Sequence, residues 1–113
     1  MKKLHWVGDS LEQLREFPQE VSRLIGFSLY LVQEGETPGN AKPLKGLGGV
    51  YELVQPYDTN TFRAVYVAKF RNAVYVLHCF QKKSKRGAAT PPKDIELIKQ
   101  RLKQARQHAA QER

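Results

Sequence analysis

Apolar positions along the chain follow two rhythms. Leu4 and Trp6 alternate with His5 and Val7, predicting a short strand over residues 3–7. Asp9 or Ser10 then offers a helix N-cap, with Glu12 or Gln13 three residues on to close a capping box. Leu11, Leu14 and Phe17 form the apolar stripe of a short helix that Pro18 interrupts. The fixed φ of Pro18 suits the first turn of a second helix, in which Val21, Leu24/Ile25, Ser28/Leu29 and Val32 recur at helical spacing until Gly35. Residues 34–49, rich in Gly, Pro and Lys, read as a loop.

The rhythm changes after that loop. Residues 50–54 predict a strand, and Pro56, Asp58 and Asn60 mark a turn region. Over residues 62–70, Phe62, Ala64, Tyr66, Ala68 and Phe70 alternate with Arg63, Val65, Val67 and Lys69, so Arg63 lies on the face opposite Phe62, Ala64 and Tyr66. Residues 74–80 are almost wholly apolar and predict a central strand, with Val74, Val76, His78 and Phe80 on one face. Ile95, Ile98, Leu102, Ala105 and Ala109 then line one side of a last helix, whose other side carries Lys93, Lys99, Arg101, Lys103 and Arg106. The predicted order is β-α-α-β-β-β-α, an α+β fold with helices over an antiparallel meander. A chain of 113 residues has room for one core, so residues 1–113 are read as a single small domain with about 106–113 as a frayed tail.

Composition narrows the function classes. Apolar runs stay near five residues, far below the roughly 20 of a membrane helix, and the lysines at the N-terminus have no apolar stretch behind them. With no membrane partner and one cysteine, Cys79, which excludes an internal disulfide, the expected location is cytoplasmic. Charge is divided unevenly: residues 1–60 hold six Lys/Arg against eight Asp/Glu, and residues 61–113 hold thirteen against three. A basic half on an ordinary domain points to a polyanionic partner.

Several chemistries can be set aside. Gly46-Leu47-Gly48-Gly49 precedes a strand and lacks the Lys-Ser/Thr ending of a phosphate loop. His5, His78 and His108 have no i, i+4 partner, so neither a metal nor any other cofactor is expected. Cys79, in the most apolar strand, reads as a buried inert thiol. The acidic residues cluster in the N-terminal half, so a paired-carboxylate site is hard to build beside the basic strands.

What remains is a basic and aromatic group on adjacent strands. Arg63, on an outer strand face, and Lys82 and Lys83, after the last strand, can hold a phosphate and stabilise charge gathering on it as an RNA 2′-hydroxyl cleaves its own chain. That reaction needs a base, an acid and cations, and no metal. His78 is the imidazole near this surface, while Tyr66 and Tyr75 can donate a proton or stack a base. Lys45, Lys69, Lys85 and Arg86 extend the basic surface as candidate RNA contacts. Which of His78, Tyr66 or a lysine carries the proton is left open.

The segments Phe62-Arg63-Ala64-Val65-Tyr66, Val74-Tyr75-Val76-Leu77-His78-Cys79-Phe80-Gln81-Lys82-Lys83-Ser84 and Thr90-Pro91 together resemble the HigB-type branch of the RelE/ParE toxin superfamily, the phage-derived, host-killing branch. Gly8-Asp9-Ser10-Leu11, Phe17-Pro18, Lys42-Pro43-Leu44-Lys45-Gly46 and Glu52-Leu53 fit as well, so the resemblance spans roughly residues 4–105. It implies a RelE-like fold of the microbial-RNase type and a type II toxin that cleaves mRNA in the ribosomal A site. It also implies a cognate antitoxin, expected to be a helix-turn-helix protein. The family's strand arginine maps onto Arg63, and its basic residues after the last strand map onto Lys82 and Lys83. ParE-type relatives keep the fold but act on DNA gyrase, so gyrase inhibition is the first competing reading and a non-catalytic RNA-binding module the second.

Overall fold

The structure is a computed structural model that describes residues 1–82 and 89–112. The elements run β1 (Lys3–Trp6), α1 (Ser10–Arg15), α2 (Gln19–Gln33), β2 (Ala41–Pro43), β3 (Val50–Tyr57), β4 (Asn60–Val67), β5 (Ala73–Lys82) and α3 (Pro92–Gln111). The fold class is α+β, as the hydrophobic pattern predicts. Two features lie beyond that pattern. β2 adds a three-residue edge strand inside the predicted loop, and β1 pairs parallel to β5, so the sheet is mixed, in the order β1-β5-β4-β3-β2. β1 depends on a partner far along the chain (Lys3 with Ala73) and β2 on the next strand (Lys42 with Glu52), and local periodicity encodes neither pairing.

The sheet separates two apolar layers. On one face Leu53, Phe62, Ala64, Tyr66, Val74, Val76 and Cys79 pack against Val21, Ile25 and Leu29 of α2. On the other, Val50, Val65, Val67, Tyr75 and Leu77 pack against Ile98, Leu102 and Ala105 of α3. With both faces covered, β5 has to be apolar almost throughout. The helix of α3 continues past the predicted fraying point, because the His108 ring near its end is held by the Tyr75 hydroxyl at 2.8 Å.

Helix starts use partners other than the predicted caps. Pro18 stands just before α2, and its carbonyl accepts from the Ser22 N–H. Asp9 occupies the cap position of α1 without capping it: its carboxylate accepts from Arg101 Nη2 at 2.7 Å and from Gln13 Nε2 at 3.3 Å. Gly8 makes this possible. It has φ +59°, and a Cβ there would stand 2.7 Å from Cζ of Arg101, so a side chain would block the guanidinium.

The β4–β5 pairing contains an irregularity that sets where His78 points. Val65 pairs with His78 but its neighbour Tyr66 pairs with Val76, so β5 spends one extra residue, Leu77, as a bulge. A bulge shifts the phase of a strand. Val74 and Val76 face α2, as does Cys79, whereas Tyr75, Leu77 and Phe80 face α3. His78 therefore does not share a face with Val74 and Val76, as strict alternation predicts. It faces α3.

Candidate functional site

Cross-strand register decides which side chains meet. The β3–β4 hairpin turns at Asp58, which takes φ +59°, and its ladder pairs Glu52 with Val65 and Val54 with Arg63. β4 and β5 then pair Val65 with His78, Arg63 with Phe80 and Thr61 with Lys82. Directly paired residues share a face. Three rows result on the α3 face: Lys42, Glu52, Val65 and His78; then Val54, Arg63 and Phe80; then Thr61 and Lys82. Glu52, Arg63 and His78 thus project from three adjacent strands, Glu52 and His78 two strand spacings (roughly 10 Å) apart with Arg63 one row below.

Glu52, Arg63, His78 and Lys82 are all away from open surface. Glu52 is 3%, Arg63 4%, His78 7% and Lys82 7% exposed. The outer strand face expected for Arg63 is not open: it is the face that carries the α3 layer, and Arg63 itself is buried. Nη1 of Arg63 donates to Oε1 of Glu52 in a buried ion pair. Nε2 of His78 stands 2.8 Å from Oδ1 of Asp94 in the first turn of α3, and its ring stacks on Phe80 at 4.9 Å. Nζ of Lys82 donates to the carbonyl of Ala89. Burial, and next the Arg63 guanidinium, hold the Lys82 ammonium below the ordinary lysine pKa.

Two buried side-chain atoms have no hydrogen-bond partner among the described residues: Nε of Arg63 and Nδ1 of His78. A buried polar atom left unpaired costs about 1–3 kcal/mol, so folded proteins rarely retain one without a use for it. Both belong to the same group of side chains.

The remaining predicted site residues separate. Tyr66 points to the other face, packed in the α2 layer with its ring 5.8 Å from that of Tyr51, and burial pushes its hydroxyl up to about 12. The sheet itself stands between Tyr66 and Arg63. Lys69 and Lys45 are exposed beyond the far end of β4 and in the β2–β3 loop, away from the Arg63 end of the sheet. Lys83, Lys85 and Arg86 lie outside the described residues. Cys79 is fully buried with its thiol pushed up to about 12 by burial, which fits the inert role expected of it.

Glu52 and Asp94 are the partners that charge counting missed. Glu52 has a faint signal in the sequence: it occupies the inward phase of Val50-Tyr51-Glu52-Leu53-Val54, where an apolar residue is expected. Asp94 has none, because an acidic residue in a first helical turn is already explained by the helix dipole.

Similarity to known proteins covers most of the chain. The family model described as "Phage derived protein Gp49-like" matches residues 12–103. Among solved structures, the chain is similar to a free-state double arginine-to-alanine variant of the toxin RelE from E. coli. The two share 18% identity at a TM-score of 0.59, over 91% of this chain and 96% of that one. At that identity the match shows a shared fold. No curated protein matches the chain. No helix among the described residues is long and apolar enough to cross a membrane.

Proposed function

The chain belongs to the phage-derived Gp49-like family and has the RelE fold, and from that footing we propose that it is the toxin of a type II toxin–antitoxin pair, a HigB-type, ribosome-dependent mRNA endonuclease. The observation that carries this reading is the pair of unpartnered buried atoms, Arg63 Nε and His78 Nδ1, on one face with Glu52 and Lys82.

The chemistry is cleavage by the RNA's own 2′-hydroxyl. Glu52 takes the 2′-hydroxyl proton as the oxygen attacks phosphorus. Nε of Arg63 and the Lys82 ammonium stabilise the extra charge on the phosphorane oxygens. His78, held through Nε2 by Asp94, gives a proton from Nδ1 to the departing 5′-oxygen. The P–O5′ bond breaks, leaving a 2′,3′-cyclic phosphate and a 5′-hydroxyl. The sequence left the proton carrier open among His78, Tyr66 and the lysines. Tyr66 loses support because it faces the other layer, and Glu52 gains it by its contact with Arg63. The ribosome supplies mRNA already oriented, which reduces what so small a domain must contribute to alignment.

A cognate antitoxin is the expected protein partner, and the cytoplasm, where ribosomes are, the expected location. The deciding experiment incubates the purified chain with ribosomes carrying a defined mRNA and analyses the product ends. Cyclic phosphate and 5′-hydroxyl ends support the reading. Intact mRNA together with inhibited gyrase supercoiling would replace it with the ParE-type activity, and intact mRNA that is merely bound would leave an RNA-binding module.

A further inference from the structure

A concavity lies at the other end of α3. A cavity of about 730 Å³ opens between the start of β1, the turn before β5 and the last turns of α3. That volume falls within the range of small-ligand sites, roughly 300–1,000 Å³. Rings crowd it. His5 and His108 have centroids 4.2 Å apart, and Phe70 meets Tyr75 edge-on at 5.5 Å. Burial, and next the proximity of His108, keep the pKa of His5 below the ordinary value, so its ring is a neutral stacking surface at neutral pH. Three cations line the same cavity, Lys3, Arg71 and Arg106, all exposed, against one acidic residue, Glu112.

This cavity is joined to the proposed cleavage site by a charged surface. Asp94, which holds His78, and His108, which lines the cavity, are both on α3, roughly 21 Å apart at 1.5 Å per residue. The exposed side of that helix carries Lys93, Lys99, Lys103 and Arg106. Stacking rings interleaved with cations are how proteins hold single-stranded nucleic acid, because every base has a π-face and every linkage a negative charge. The free carbonyls at the C-terminus of α3 accept hydrogen bonds and repel phosphate. They therefore suit the amino groups of a base and leave the phosphate to Lys3 and Arg71.

We propose that the His5–His108 cavity binds one nucleotide of a single-stranded RNA whose backbone follows the basic side of α3 from the Arg63 site. The inference rests on the reading that RNA is the substrate. An acidic peptide would satisfy the cations but would leave the rings without an equivalent role.

The test follows the histidine ring resonances of the full chain by NMR during titration with a 2′-O-methyl RNA hexamer, which cannot be cleaved. The His5 and His108 signals should shift and saturate, and inorganic phosphate at the same concentration should not reproduce the shift. Arg71→Ala/Arg106→Ala should weaken the hexamer about tenfold and make the salt dependence shallower by about two counterions. Unmoved His5 and His108 signals would overturn the proposal, as would shifts matched by phosphate alone or by an acidic peptide. Cleavage of ribosome-bound mRNA is measured alongside. Cleavage with silent His5 and His108 signals removes only the cavity, while cavity shifts without cleavage remove only the nuclease.

Discussion

Nη1 of Arg101 donates to the backbone carbonyl of Leu77 at 3.0 Å, so a side chain of α3 holds the one residue of β5 that has no partner in the ladder. The same guanidinium reaches Asp9 through Nη2 across the space that Gly8 leaves open. The contact pins the bulge from outside the sheet, and the bulge is what turns His78 toward Arg63 rather than toward α2.

Arg101→Ala should therefore disturb both stability and the site. Two hydrogen bonds from a charged donor are lost, each worth about 1.5–3 kcal/mol, and the carbonyl of Leu77 loses a partner. Thermal unfolding should shift down by roughly 10 °C or more for a domain of this size. The His78 ring resonance should move as well. A variant with unchanged Tm and an unmoved His78 signal would show that the bulge holds itself.

Arg63→Ala is a poor test of catalysis, because Arg63 is the buried partner of Glu52. Removing it leaves an uncompensated carboxylate in the interior, at a cost of about 3–5 kcal/mol. Loss of folding should be visible in urea unfolding.

Glu52→Gln separates the two effects. The amide oxygen still accepts from Arg63 but no longer compensates its charge, so stability should fall by less than in Arg63→Ala, while the proton acceptor is gone. Single-turnover cleavage on saturating ribosomes should fall by about 10²–10⁴-fold. A wild-type rate in a folded Glu52→Gln protein would return Glu52 to a structural role.

His78→Gln should slow the same step far more than it weakens mRNA binding. Asp94→Asn should act in the same direction by a smaller factor, because it alters only what holds the ring. Equal losses in rate and affinity would make His78 a binding residue.

Alkaline pH should unfold the protein through Cys79 and then Tyr66. Burial raises the Cys79 thiol from about 9 to about 12 and the Tyr66 hydroxyl from about 10 to about 12. Above pH 9 the unfolded chain releases the Cys79 proton while the folded chain keeps it, so the unfolded state binds fewer protons and stability falls as pH rises. Each such group contributes a slope of about 1.4 kcal/mol per pH unit within its window. Urea midpoints measured under reducing conditions should drop from pH 9 upward, and Cys79→Ala should remove the part of the drop between pH 9 and 10.

Much of this architecture is local and so is legible along the chain. The 3.6-residue stripe of Val21, Ile25, Leu29 and Val32 and the two-residue alternation from Phe62 to Val67 are set by backbone geometry within each segment, and they place Arg63 opposite Phe62, Ala64 and Tyr66. The basic second half, and with it the expectation of a polyanionic partner, is a matter of composition alone. The composition of the site is different. The contact of Glu52 with Arg63 depends on how β3 and β4 align, that of His78 with Asp94 on where α3 crosses the sheet, and the orientation of His78 on an extra residue in one of two paired strands. A bulge is a property of a strand pair, so neither strand encodes it alone. Tertiary structure therefore moved His78 to the Arg63 side, left Tyr66 on the other, brought Glu52 from the acidic half of the chain to Arg63, and set Asp94 against His78.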